Sequence, residues 1–230
     1  MRLLLIADVH ANLEALQAVL AAAAPYAACL FAGDVVDYGP DPAPCLETIR
    51  DHAWAAVKGN HDAAVAEGFA CGWYGGISPA IREYQRNALA APHFAFLAGL
   101  PLTHALDLGG ARFHLVHARP ANPLEGYLLP EISDADLASE LAQVTADVVL
   151  LGHAHRPFVR RLGGMTVVNP GSVGQPRDGD LRASYALWED GEIRLERVEY
   201  DVEATCRRLQ ALPLPPEDLA TLTSILREGR

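Results

Sequence analysis

The chain is short of positive charge. Its 230 residues hold 18 Lys and Arg against 29 Asp and Glu, a formal net charge of −11. A protein that grips duplex nucleic acid by its phosphates presents a basic stripe, and none runs through this sequence. Cysteines are also few: Cys29, Cys45, Cys71 and Cys206. No two form a C-x-x-C, so they read as reduced thiols of a cytoplasmic protein rather than a disulfide framework. No apolar stretch is long enough to span a membrane. Residues 2–7 begin like a leader peptide, but Asp8 and His10 interrupt the run at once. The alanine-rich stretch over 13–33 is broken by Glu14, Gln17 and Pro25. Lipidation motifs and internal repeats are absent, and the alanines at 21–24 are the one low-complexity segment.

Hydrophobic residues, by contrast, make up 50% of the chain, ample for a core. The length suits one domain over residues 1–230, with C-terminal helices at 202–228 packed on it. Residues 3–7 are a continuous apolar run, which predicts a strand buried on both faces. Leu13, Leu16, Val19 and Leu20 recur at helical spacing and predict a helix over 12–24, ended by Pro25. A strand over 28–32, a helix over 43–51 and a strand over 54–57 complete a β-α-β-α-β third. A polar motif follows each of its strands, and in open α/β sheets the functional crevice lies at the carboxyl ends of the strands.

The middle of the chain changes character. Residues 68–76, rich in glycine, read as a loop whose Trp73 and Tyr74 are candidates for a base-stacking lid or for a buried anchor or subunit contact. Helices are expected over 79–90 and 93–99. Residues 103–108 and 111–116 alternate around Gly109-Gly110 as a hairpin, with His117 at its exit. A helix over 134–143 and a buried strand over 147–151 follow. Two further hairpins, 158–162 with 165–168 and 184–189 with 193–198, are assigned to a second sheet. Helices over 202–211 and 217–228 flank the cluster Pro213, Pro215 and Pro216. The expected fold is α/β: a four-layer α-β-β-α sandwich of two facing mixed sheets.

Five polar signatures punctuate these elements: Asp8-Val9-His10, Gly33-Asp34, Gly59-Asn60-His61-Asp62, His117 and Gly152-His153-Ala154-His155. Taken singly, D-x-H and Gly-Asp arise often by chance, and a lone histidine after a strand commonly makes one buried hydrogen bond. Gly59-Asn60-His61-Asp62 says more, because four polar or flexible residues after an apolar strand have no packing purpose. His153 and His155 stand two apart, and in extended backbone both rings point the same way, into one cluster. Together the signatures offer carboxylate, amide and imidazole ligands suited to hard or borderline divalent ions. Gathered at strand ends, they suggest a two-metal hydrolytic centre.

In this order the series D-x-H, G-D, G-N-H-[D/E], H and G-H-x-H resembles the signature of the calcineurin-like metallophosphoesterases. The match runs over residues 8–155. It extends through residues 169–177, Asn-Pro-Gly-Ser-Val-Gly-Gln-Pro-Arg, and through Tyr38-Gly39-Pro40, both similar to the short bacterial and archaeal phosphodiesterase branch. Ala154 stands where the family often has Thr or Ser, at a position that is not a ligand. The resemblance implies one metal on Asp8, His10 and His155, a second on Asn60, His117 and His153, and Asp34 bridging both. The cofactor would be two divalent ions, manganese foremost, with iron, zinc, cobalt or nickel compatible with the same ligands. His61 would be the catalyst that is not a ligand, stabilising phosphoryl charge or protonating the leaving oxygen. Asp62 either orients His61 or stands as a helix-start residue. Asn12 either touches phosphate or caps a helix. Arg177 either clamps a phosphate oxygen or is an ordinary surface arginine. His52, His93, His104 and His114 match no motif position.

The implied activity is hydrolysis of phosphodiesters or phosphoanhydrides, such as nucleotide diesters or dinucleoside polyphosphates, by in-line attack of a metal-bridging hydroxide. Alternatives are a phosphomonoesterase or protein phosphatase, and a non-catalytic scaffold of the same fold. Long insertions that would groove a protein substrate are not evident, and all seven ligand positions are kept, which disfavours both. The expected partner is a small phosphorylated, nucleotide-like substrate, with no duplex nucleic acid and no membrane; homo-oligomer formation stays open.

Overall fold

The first apolar run becomes the centre of a sheet. In the computed structural model, which describes residues 1–68 and 79–230, the chain opens with β1 (Arg2–Ile6), α1 (Leu13–Ala23), β2 (Ala28–Phe31), α2 (Pro42–His52) and β3 (Ala53–Ala56). Three helices follow: α3 (Asn60–Glu67), α4 (Ala80–Asn87) and α5 (Ala91–Gly99). Next come β4 (Thr103–Leu108), β5 (Ala111–Val116), α6 (Asp134–Glu140) and β6 (Val148–Leu150). The chain closes with β7 (Phe158–Leu162), β8 (Met165–Asn169), β9 (Ala183–Glu189), β10 (Glu192–Val198), α7 (Val202–Gln210) and α8 (Pro216–Glu228).

The strands form two five-stranded sheets, ordered β10-β9-β1-β2-β3 and β4-β5-β6-β8-β7. Both are mixed. In the first, β1 pairs parallel with β2 and antiparallel with β9. In the second, β6 is parallel to β5 and to β8, while β4 and β7 close the edges antiparallel. Parallel strands leave their carboxyl ends on one side, which is where the polar signatures emerge.

One expectation fails here. The β9–β10 hairpin joins the first sheet, not the second: Leu3 lies opposite Trp188 and Leu5 opposite Ala186. The reason is burial. Six of the seven residues of β9 are buried, so it needs a neighbour on each side and cover on both faces. The turn Asp190-Gly191 marks a hairpin but says nothing of which sheet receives it.

Alternating side chains along β1 divide the core. Leu3 and Leu5 join Leu30, Phe113, Leu115, Leu150, Val168 and Trp188 in the layer between the sheets. Leu4 and Ile6 turn the other way and pack on Leu16, Val19, Leu46 and Ile49 of α1 and α2. The outer face of the second sheet is covered by Leu137 and Leu141 near α6 and by Leu128. That order of layers is α-β-β-α, with a thin fourth layer. A satellite cluster seats α7 and α8 against Ile81 of α4 and Tyr38. Arg208 of α7 pairs with Glu14 and Asp41, fixing this unit to the first helices. No helix among the described residues is long and apolar enough to cross a membrane. Trp73 and Tyr74 lie outside the described residues. Cys29, Cys45 and Cys206 are free and buried, and burial pushes the Cys29 thiol up to about 12.

The rings of Phe113 and Trp188 meet edge-on across the two sheets with centroids 5.5 Å apart. Phe113→Ala should therefore destabilise the protein by about 3–5 kcal/mol, read as a lowered midpoint in denaturant titration. A loss below about 1 kcal/mol would mean that the sheets are not held together through this contact.

Candidate metal centre

The first candidate ligand, Asp8, sits two residues beyond the end of β1. Asp8 is fully buried and its carboxylate receives the backbone N–H of His153 at 3.1 Å. Asp8, His10 and His155 form one group whose ligand atoms lie within 4.8 Å of one another, and Asp34, His117 and His153 form a second. Asn60 completes the second group, its Oδ1 3.0 Å from His117 Nε2. Asp34 also reaches toward the first group: its Oδ2 is 3.1 Å from His117 Nε2 and 3.8 Å from His10 Nε2. The seven residues named from the sequence thus converge as two half-sites that meet at Asp34.

The pair His153 and His155 converges differently from the expectation. Neither residue is extended, with φ of 66° and 54°, and the two rings separate into different half-sites. The left-handed conformation is general here. Asp8, His10, Ala11, Asp34, Asp37, Tyr38, His153 and His155 all have positive φ. Among described residues other than glycine, Asp190 in a hairpin turn is the only further case. Such backbone carries strain of order 1 kcal/mol or more per residue and persists where surrounding structure enforces it, typically at functional sites.

The imidazoles are set for metal. His10 Nδ1 donates to Val36 O at 3.1 Å, His117 Nδ1 to Ala32 O at 2.7 Å and His155 Nδ1 to Gln175 O at 2.6 Å. A carbonyl can only accept, so each Nδ1 carries a proton and each Nε2 points into the cluster. His10 Nε2 and His155 Nε2 face each other at 3.1 Å, an approach that favours a shared cation. Asp34 is similar. Its Oδ1 accepts from the His61 backbone N–H at 2.9 Å, at the start of α3, while its buried Oδ2 faces the His117 Nε2 at 3.1 Å without a well-aligned hydrogen bond. These residues fit two divalent ions: each half-site combines imidazole with carboxylate, and the open Oδ2 suits a bridging ligand.

The electrostatics agree. Burial pushes the Asp8 carboxyl up to about 7, the His117 cation opposing and the Asp34 charge adding to the rise. Burial holds His10 down to about 3, and it holds His153 at about 3 with the neighbouring His117 charge. At His117 burial works downward too, but the Asp34 carboxylate outweighs it and lifts the ring to about 9. At Asp34 burial works upward, yet His117, His61 and His10 hold it well below the usual carboxylate range. Without metal, protons must stand where cations would go.

His61 lies beside the cluster, its ring centroid 5.1 Å from that of His10. Its Nδ1 meets Asp37 Oδ2 at 2.8 Å. Asp62, one residue on, does not orient His61. Its carboxylate accepts the backbone N–H groups of Asp34 at 2.8 Å, Val35 at 2.8 Å and Gly59 at 3.0 Å. The helix-start reading holds for Asp62, with the addition that it ties the Asp34 loop to the Gly59 turn. A Cβ on Gly59 would sit 2.0 Å from Asp34 Oδ1, so only glycine allows that approach. Asn12 is a helix cap: its Oδ1 accepts from Ala15 N at 3.2 Å, and its Nδ2 donates to Gly174 O at 2.9 Å. Its hydrogen bonds are committed to the fold rather than to phosphate. Arg177 lies at the site, its guanidinium 5.9 Å from the centroid of the Tyr38 ring and bonded to Gln175 Oε1 at 3.2 Å.

Residues 1–190 match the family described as the calcineurin-like phosphoesterase superfamily domain. The chain belongs to that family. A metallophosphoesterase of Sphaerobacter thermophilus, of known crystal structure, is 31% identical, with a TM-score of 0.86 over 100% of this chain and 99% of that one. An uncharacterized protein of Methanocaldococcus jannaschii is 32% identical over 91% of this chain and 92% of its own length. A hypothetical protein of Pyrococcus horikoshii, 21% identical, shares the fold with a TM-score of 0.87, covering 100% of this chain and 98% of that one.

This calcineurin-like chain also holds site residues that the sequence reading passed over. Asp37 is one. Another is Gln85 of α4, fully buried, whose Oε1 accepts from Asp37 N at 3.1 Å and whose Nε2 donates to Gly39 O at 2.6 Å. The Asp34–Asp37 spacing was the available signal for the first. A glutamine inside an amphipathic helix gives none for the second.

With Asp8 near 7 and His117 near 9, protons occupy the metal-free cluster around neutral pH. Manganese uptake at pH 7 should therefore release protons, and affinity should climb as pH rises. Calorimetry in buffers of different ionisation enthalpy reads this directly, and a binding heat independent of buffer would contradict it. Asp34→Asn, which removes the shared carboxylate, should lower the metal content found by elemental analysis.

Proposed function

We propose that this chain is a binuclear metal-dependent phosphoesterase that hydrolyses phosphodiesters or phosphoanhydrides of small, nucleotide-like substrates. The observation that carries the reading is His61: a buried imidazole at the centre that belongs to neither ligand group and is held by the Asp37 carboxylate at 2.8 Å. A buried imidazole needs a hydrogen-bond partner in any case, and a neutral one suffices for packing. A carboxylate does more, because it both orients the ring and stabilises its cation, as an acid requires. Burial works against the His61 cation, but Asp34 and Asp37 outweigh it and raise the group above its ordinary value.

Two divalent ions, held by Asp8, His10 and His155 and by Asn60, His117 and His153 with Asp34 between, would supply Lewis acidity and a nucleophile at neutral pH. The protein supplies the rest. His61, as imidazolium, protonates the departing oxygen or stabilises charge on the phosphoryl group. Asp37 holds the ring through its Nδ1, and Gln85 fixes Asp37 by accepting its backbone N–H. Arg177, on the side of His10 and Tyr38, offers its planar fork to a phosphate oxygen. Asp62 and the left-handed turns keep the ligand loops in register. Manganese is the ion we favour, and we place the enzyme in the cytoplasm.

His61→Ala should lower kcat on a manganese-loaded diester by about 10²–10⁴-fold while bound metal stays unchanged; loss of metal would make His61 a ligand instead. Asp37→Asn should move the alkaline limb of the pH–rate profile to lower pH. The sign follows from the carboxylate's support of the cation: without it the ring gives up its proton at lower pH, and the acid is lost sooner as pH rises. An unmoved limb would remove His61 from the role of acid. Rates on cyclic nucleotides, dinucleoside polyphosphates, model diesters and monoesters, compared as kcat/KM, test the substrate class, and a preference for monoesters would overturn it.

A further inference from the structure

Tyr127 stands exposed beside the charged cluster. It is 49% exposed, and its ring lies flat on the imidazole of His153, with centroids 4.4 Å apart and planes 12° from parallel. His153 is the most exposed of the seven ligand residues, so Tyr127 stands at the mouth of the site. Trp54, the other exposed aromatic among the described residues, lies in edge strand β3 and touches none of the cluster's rings.

The loop that carries Tyr127 is braced. Ala118 N donates to Pro123 O at 3.0 Å, and Arg119 and Asn122 bond to each other through their backbones. The Arg119 guanidinium pairs with Glu140 at the end of α6. Leu128, next to Tyr127, is buried in the core under the second sheet. Gly126, on the other side, has φ of 81°, and a Cβ there would come 2.6 Å from Arg119 Cδ. The chain thus turns tightly against Arg119 and sinks Leu128, which leaves the Tyr127 ring outside by construction. One face of the ring is spent on His153. Arg177 lies on the far half-site, its backbone N–H donating to His155 O at 3.3 Å and its guanidinium 5.9 Å from the Tyr38 ring centroid.

We propose that Tyr127 determines specificity by stacking on a planar aromatic group of the substrate, a nucleobase or an aryl leaving group, whose phosphate sits between Tyr127 and Arg177. The inference rests on the phosphoesterase reading above and deepens it by naming the substrate class. Stacking suits the place: every nucleobase has a π face, and a ring held by its own support loses little freedom when a base covers it. Removing such a platform weakens base binding by roughly tenfold or more.

The test is equilibrium binding to the manganese-loaded full chain, with AMP and ribose 5-phosphate as probes and elemental analysis alongside. Wild type should bind AMP about tenfold more tightly than ribose 5-phosphate. Tyr127→Leu, which keeps bulk without a π face, should bring the two close to parity with its manganese retained, whereas Tyr127→Phe should keep the preference. If wild type binds both probes equally, or Tyr127→Leu keeps the preference, the stacking role is overturned while the phosphoesterase reading stands. If Tyr127→Leu loses manganese, the ring serves to hold His153 and the proposal fails. If neither probe binds and no phosphoester is turned over, the phosphoesterase reading falls and this inference falls with it.

Discussion

A carboxylate buried among imidazoles governs this structure. Asp34 has no exposure, and an ion of that kind is tolerated only when it is paired and hydrogen-bonded. One of its oxygens takes the His61 backbone N–H at the positive end of α3. The other looks toward His117 and His10. Much of the surrounding architecture serves to hold that arrangement. The Asp62 carboxylate pins the Asp34 loop by its amides, Gly59 lets that loop come close, and left-handed turns at Asp8, His10 and His153 swing their side chains inward. The sandwich contributes by bringing strand ends of both sheets to one place: Asp8 and Asp34 come from the first sheet, His117 and His153 from the second.

What the sequence told and what it withheld divide along physical lines. Continuous apolar runs gave β1, β2 and β6 within a residue or two, because a strand buried on both faces must be apolar throughout. The candidate ligand residues stood out for the complementary reason, since polar groups directly after such runs serve no packing end. Pairing between distant strands was not. The β9–β10 hairpin was recognised, but its place beside β1 depends on contacts about 180 residues apart in the chain, and periodicity carries no address. Helix α3 was legible only as a possible start at Asp62, its extent being hidden. Asn60 to Glu67 is short and nearly all buried on its first turns, so it shows no amphipathic stripe.

Of the side chains with two readings, Asn12 and Asp62 have their hydrogen-bond capacity taken up by the fold. Asn12 has one amide, and Ala15, Gly174, Tyr200 and Thr205 use it fully. Asp62 was placed near His61 by sequence adjacency, but successive residues of a helix face about 100° apart, so the neighbour in sequence turned to the Asp34 loop. The group that does reach His61 comes from Asp37, in a separate turn braced by Gln85 from α4. A side chain and its partner are neighbours in space through the fold, and a motif names only the half that lies within it.

The thin fourth layer has a consequence of its own. Among the described residues, α6 and the segments on either side of it cover the outer face of the second sheet, and the segment before it places Tyr127 against His153. None of the seven candidate ligand residues lies between Ala118 and Ala146, a stretch that ends before β6, the buried strand leading to His153. The fold thereby separates two kinds of change. Residues at strand ends are fixed by strain and buried charge, whereas the covering segment is braced by contacts of its own and supplies none of the candidate ligands, so a change in the one need not alter the other.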